Sequence, residues 1–218
     1  MSELEEIGKI ASSGAADKLM ELVLKGLGPS VEQFGLIGGD FVRELRWNNI
    51  RRILARAQKK LEQAGRLPKP IPLRLLLPIL ESASVEDENV LQDMWAGLLA
   101  TASQETDRLS PSFAETLRQL TPNETRFFDK FYRNLQRKNQ KAHALRTKMN
   151  PLQFRADAPE DISAETFERL GLLNREYGLT DGEYVGEKEV GYLLALTEYA
   201  QRFMRACLGE FHADSDTR

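Results

Sequence analysis

The chain has 218 residues, enough for one large domain or two small ones, and 41% of them are hydrophobic and 29% charged. That balance excludes a mostly disordered or fibrous chain, and a net charge of −3 announces neither nucleic acid nor an anionic membrane as a global partner. A single cysteine, Cys207, excludes an internal disulfide and the cysteine-rich zinc patterns. With an N-terminus that is acidic and lacks a secretory pattern, it predicts a cytoplasmic protein.

Ser2 and Glu5 have the spacing of a capping box, so a first helix is predicted with Leu4, Ile7, Ile10 and Ala11 on one side. Its period resumes at Leu19, Leu22, Val23 and Leu27 and ends at Gly28-Pro29-Ser30. From Ser30, Val31, Phe34, Ile37, Phe41 and Leu45, then Ile50, Ile53, Leu54, Ala57 and Leu61, recur at helical steps to Gly65. One long helix with a kink at Gly38-Gly39 is the simplest reading. Pro68, Pro70 and Pro72 then impose an extended linker, because each fixes its own φ and keeps its predecessor out of the helical region.

The next helix is expected to bury Leu73, Leu76, Leu77 and Leu80, with Pro78 kinking it or ending it early. This longest apolar run, Leu75 to Leu80, is far shorter than the ~20 residues that span a bilayer. Ser84 is read as the cap of a further helix whose first turn is Glu86-Asp87-Glu88 and whose apolar face is Leu91, Met94, Trp95, Leu98, Leu99 and Ala102. Ser110-Pro111 and Thr121-Pro122-Asn123-Glu124 start two shorter helices. They present Phe113, Leu117 and Leu120, then Phe127, Phe128, Phe131 and Leu135. Residues 137–158 are polar and basic and read as a loop or a frayed helix end.

Ser163 to Thr166 begins a short helix that Gly171 ends, since glycine suits the left-handed C′ position. Leu172-Leu173 and Val190 to Leu196 flank a polar stretch containing Asp181-Gly182 and read as a small β-hairpin. Thr197 caps a last helix with Tyr199, Phe203, Met204 and Cys207 inside. Leu170-Gly171-Leu172-Leu173 and Leu194-Ala195-Leu196-Thr197-Glu198 resemble the segments before and after the wing of winged-helix proteins. The expected fold is therefore mainly α: a helical domain over residues 1–107 with a long basic helix, then a winged-helix-like domain over 108–218 with an acidic wing.

Three stretches read together are distinctive: Pro68-Lys69-Pro70-Ile71-Pro72-Leu73-Arg74, Pro78 through Glu88, and Leu91 through Ala102. They resemble the abortive-infection alpha (Abi-alpha) family of bacterial proteins, and Gly28-Pro29, Pro111-Ser112-Phe113 and Leu117 through Pro122 follow the same order. The resemblance covers most of the chain and implies a part in bacterial defence against phage. It carries over no catalytic residue.

Charge is distributed unevenly. Between Phe41 and Leu75 ten bases, including Arg43, Arg46, Arg51, Arg52, Arg56, Lys59 and Lys60, face only Glu44 and Glu62, a local net of +8. Arg133 to Arg155 is a second basic stretch, with seven bases and no acid. Such stretches can bind phosphates by counterion release or simply be solvated. Residues 156–189, which would hold the recognition helix and wing, carry ten acids against Arg169, Arg175 and Lys188 and would repel a DNA backbone. The winged-helix region therefore reads as a protein-interaction module, for a protein partner or a homo-oligomer.

Other chemistry is less well supported. Glu81, Glu86, Asp87, Glu88 and Asp93 could hold a cation or act as an acid/base pair, but a charged helix N-terminus accounts for them. Gly26, Gly28, Gly35, Gly38 and Gly39 lack the Gly-Lys-Ser/Thr ending and preceding strand of a phosphate loop, and Gly35 and Gly39 suit a close helix approach. No nucleophile elbow, HExxH pair or Cys/His dyad is present as a motif, which lowers the odds of an enzyme without eliminating an unfamiliar one. No cofactor or metal is expected. The reading is a non-catalytic binding or assembly protein of antiphage defence. Its rivals are a nucleic-acid binder using the basic helix and a membrane-active or unfamiliar enzymatic effector, with Asp17, Glu21, Glu32 and Asp40 weighing against a membrane-surface role for residues 15–45.

Overall fold

The computed structural model describes residues 17–27, 40–139, 148–149, 162, 164–177 and 192–211. Among them are eight α-helices and a small antiparallel sheet, so the protein is mainly α. Its contacts divide it into two compact units, Met1–Leu120 with Arg205–Arg218, and Thr121–Met204. The predicted helix at Ser2, the Gly28-Pro29-Ser30 end, the Gly38-Gly39 kink and the hairpin turn at Asp181-Gly182 all lie outside the described residues.

The first unit begins with α1 (Asp17–Leu27), which buries Leu19 and Val23 at the period read from the sequence. Helix α2 (Asp40–Gln63) follows, burying Ile50, Ile53, Leu54, Ala57 and Leu61. It ends in a Schellman motif, in which the Arg66 N–H donates to the Leu61 carbonyl at 2.9 Å and Gly65 takes φ +66°, which a side chain would strain. The proline linker then turns back along the end of the unit, and Lys69 N–H donates to the Ser103 carbonyl at 3.1 Å.

Helix α3 (Leu73–Ala83) starts directly after Pro72 and continues through Pro78 to its end. Its buried side is Leu75, Leu76, Ile79, Leu80 and Ala83. This corrects the expected stripe: Leu73 is exposed and Leu77 half-buried, because the stripe that packs runs one position out of phase with them. Ser84 also differs from its expected role. It closes α3, its N–H donating to the Leu80 carbonyl and its Oγ to the Glu81 carbonyl, so it satisfies a helix end rather than a helix start. Helix α4 (Asn89–Ala102) begins with Glu88 in the N-cap position and carries no acid in its first turn. Glu86 to Glu88 form the preceding turn, where Glu86 Oε1 accepts the Glu88 N–H and the Glu86 carbonyl accepts Gln92 Nε2.

Helix α4 is buried at every position from Met94 to Ala102, with Trp95 only 1% exposed. A helix apolar all round must be surrounded by neighbours. Helices α2, α3 and α5 (Ser112–Arg118) pack against it, the last through the predicted Phe113 and Leu117. A short 3-10 turn (Thr106–Arg108) precedes α5.

In the second unit α6 (Pro122–Asn139) opens with the predicted capping box. Glu124 N–H donates to Thr121 Oγ1 at 3.2 Å, and Thr121 N–H donates to Glu124 Oε2 at 2.8 Å. Phe127, Phe128 and Phe131 are buried with Phe167 of α7 (Ala164–Arg169), the Phe128 and Phe167 ring centroids 4.9 Å apart. Gly171, at φ +69°, ends α7 as predicted, with Leu172 N–H donating to the Phe167 carbonyl at 2.7 Å.

The sheet runs in the order β1–β3–β2, where β1 is Lys148–Met149, β2 is Leu173–Tyr177 and β3 is Tyr192–Leu196. β2 and β3 pair antiparallel with Leu173 opposite Leu196 and Tyr177 opposite Tyr192. For residues 137–158, where a loop or a frayed helix end is expected, α6 does run on to Asn139, and β1 is the departure: its two residues pair with Ala195 and Leu194, a contact too short to leave a period in the sequence. Thr197 caps α8 (Glu198–Leu208) through Oγ1, which accepts the Ala200 N–H at 2.9 Å and donates to the Gly171 carbonyl at 2.6 Å.

Candidate functional site: the basic helix and its supports

The basic helix α2 meets α4 through pairs set one helical turn apart. Arg56 donates to the Asn89 carbonyl at 2.8 Å and to Asn89 Oδ1 at 2.7 Å, and Lys60 Nζ lies 3.0 Å from Asp93 Oδ2. Both partners advance by four residues together, so the two helices run parallel. Deeper in, Asn49 Nδ2 donates to the Ser84 carbonyl at 3.1 Å.

Lys60 does more than form an ion pair. Its aliphatic stem lies against Gly209, where a Cβ would meet Lys60 Cδ at 3.3 Å, and its charge acts on the buried Cys207 thiol. Burial pushes that thiol well above its ordinary pKa, and the lysine only partly offsets it, so Cys207 is an inert core thiol. On the adjacent helix Gly97 allows the α8 end to come close, since a Cβ there would overlap the Cys207 carbonyl oxygen. Thr101 Oγ1 donates to the Ala206 carbonyl at 2.9 Å and fixes the same approach. This close contact was missed in the sequence, although an isolated glycine inside an apolar helix was a usable signal.

The predicted cations thus fall into distinct classes. Arg56 and Lys60 tie α2 to α4. Arg46 is half-buried, with a buried Nε that has no hydrogen-bond partner among the described residues, and the side chain of Arg43 lies outside them. Arg66 sits over the Phe211 ring, 5.2 Å from its centroid. Arg51, Arg52 and Lys59 are exposed and form no ion pair among the described residues. Glu44 and Glu62 are exposed on the same helix, so the outer face mixes these three cations with two acids.

The second basic stretch begins at Arg133, which pairs with Asp129 one turn earlier at 2.8 Å; most of the rest lies outside the described residues. In α7, Glu168 and Glu165 face Arg175 of β2, at 2.6 Å and 3.9 Å. The acids Asp181, Glu183, Glu187 and Glu189 lie outside the described residues.

In the acidic group near α4, Glu86 is half-buried. Burial raises the Glu86 pKa, and the neighbouring Asp87 and Glu88 charges add to this against backbone hydrogen bonds that lower it. Among the described residues no three His, Cys, Asp or Glu side chains cluster as a metal site, and no helix is long and apolar enough to cross a membrane.

Comparison with known proteins gives one match. Residues 43–207 match the family described as abortive infection alpha, a span that takes in most of α2, all three stretches of the family resemblance and most of α8. No curated protein and no solved structure matches the chain. Because the match extends over well more than half of its length, the chain belongs to the abortive infection alpha family.

Proposed function

We propose that the protein is a non-catalytic binding or assembly component of bacterial abortive-infection defence, working in the cytoplasm through protein contacts. Membership of the abortive infection alpha family is the observation that carries this reading. The second unit is read as a winged-helix-like module. The β1–β3–β2 order, with a short helix leading into β2, supports that reading. Winged-helix modules that read DNA require cations on the recognition helix and wing. Here Glu165 and Glu168 occupy the helix and engage Arg175, which favours a protein partner. The test is protection of cells from phage, with partner capture from the same cells. Reversing Arg51, Arg52 and Lys59 to Glu should abolish both while leaving the thermal melt unchanged.

Nucleic-acid binding through α2 is the second reading, supported by the exposure of Arg51, Arg52 and Lys59. In that case the same triple reversal should abolish a salt-dependent anisotropy signal with duplex DNA or RNA.

A further inference from the structure

Four large apolar side chains are exposed among the described residues: Leu45, Leu67 at 71%, Leu73 at 43% and Val85 at 61%. Three of them flank α3. Leu67 and Leu73 lie before or at its first turn, in a segment that also exposes Lys69 and Arg74. Val85 lies just past its last turn, between the exposed acids Glu81 and Asp87. None of these four charged residues forms an ion pair among the described residues. Glu105, next in the chain to the Gln104 that holds the basic edge, has an interaction of its own, and Arg56 is held by Asn89, two residues past Asp87.

Both edges are held in shape. Gln104 Nε2 donates to the Leu67 carbonyl at 2.7 Å and Lys69 N–H to the Ser103 carbonyl, while Ser84 and Gln92 bind the acidic turn. Docking would therefore cost little ordering entropy. An 11-residue helix is about 16 Å long, so the two edges of one chain are too far apart to satisfy each other.

Resting on the binding-or-assembly reading, we propose that the protein associates head to tail with a second copy of itself. The Leu67–Arg74 edge of one copy docks on the Glu81–Asp87 edge of the next. Leucine and valine meet at the centre, and Lys69 and Arg74 face Glu81 and Asp87 at the rim. Such a contact is heterologous and extends into a ring or an open chain of copies.

The test is sedimentation of the full chain from about 1 to about 100 µM, at low and high salt, with two charge-reversed variants. The intact chain should gain mass with concentration and lose it with salt. Lys69→Glu/Arg74→Glu and Glu81→Lys/Asp87→Lys should each associate roughly tenfold or more weakly, with unchanged circular-dichroism melts. Mixing the two variants should restore association, because each then meets an edge of opposite sign. A single-chain mass at every concentration, variants that associate like the parent, or a mixture that stays apart would each overturn the proposal. So would a monomer that binds phosphatidylserine vesicles through Lys69 and Arg74, which would assign the basic edge to a lipid surface. A monomer that still protects cells and captures a partner defeats head-to-tail association alone. An intact chain that neither protects cells nor captures any partner defeats the binding reading itself.

Discussion

Gly97 and Trp95 sit two positions apart on α4 and carry opposite packing demands. Trp95 fills the core, so Trp95→Ala should cost about 3–5 kcal/mol of stability in urea unfolding, the range for a large buried aromatic that leaves a cavity. Gly97→Ala should also destabilise, by ~2 kcal/mol or more, although the same change in a free helix interior would gain ~1 kcal/mol. The sign is set by the Cys207 carbonyl, which occupies the place of the new methyl group. A raised melting temperature for Gly97→Ala would contradict this packing. Glu86 supplies the pH-dependent case. Its pKa is raised in the folded chain, so the folded state binds more protons between the ordinary and the raised value, and stability falls as pH rises through that window. Glu86→Gln removes the charge and keeps the acceptor for Glu88 N–H. It should stabilise the protein at neutral pH by roughly 0.5 kcal/mol, since the side chain is only half-buried, and the gain should vanish below the ordinary carboxylate pKa. Denaturation curves at pH 7 and pH 4 would check both halves.

Among the helices, α2 shows how a charge run divides once it is packed. Arg56→Ala should cost about 1 kcal/mol, because it removes two hydrogen bonds to Asn89 and the side chain between α2 and α4. Arg52→Ala, on the exposed side, should stay within about 0.5 kcal/mol of the parent in the same thermal melts. Equal costs would remove the distinction between supporting and outward cations. The helix signals most easily read were local ones. Thr121 with Glu124, Gly171 and Thr197 satisfy helix ends with groups at most three residues away or through the backbone itself, so spacing alone reveals them. Ser84 was misread because a serine between two helices can serve either end, and the bonds to Leu80 and Glu81 that decide the matter come from the helix before it.

For the chain as a unit of function, the test is whether duplex binding depends on α7 or on α2. Intact protein at physiological salt should give no sequence-specific duplex anisotropy that depends on α7 and the strands beside it, and Glu165→Ala/Glu168→Ala should leave any residual affinity unchanged. That residual affinity should track Arg51, Arg52 and Lys59. Specific binding that tracks α7 would make the protein a regulator that reads DNA. The two compact units bear on this test, because the acids and cations concerned belong to different units.

Periodicity, helix caps and the three distinctive stretches between Pro68 and Ala102 determine the helical class, most element ends and the family from sequence, because each depends on residues close together in the chain. Phe113, Phe128, Trp95 and Phe203 could be assigned to cores for the same reason: large apolar side chains at helical spacing have few alternatives to burial. Only the tertiary structure decided which bases of the +8 run are available. Arg56 found Asn89, Lys60 found Asp93 and Arg66 found Phe211, partners from 33 to 145 positions away that no local pattern encodes. It also decided that the end of α8 belongs with the first unit, because Gly97 lets two backbones approach where any side chain would hold them apart.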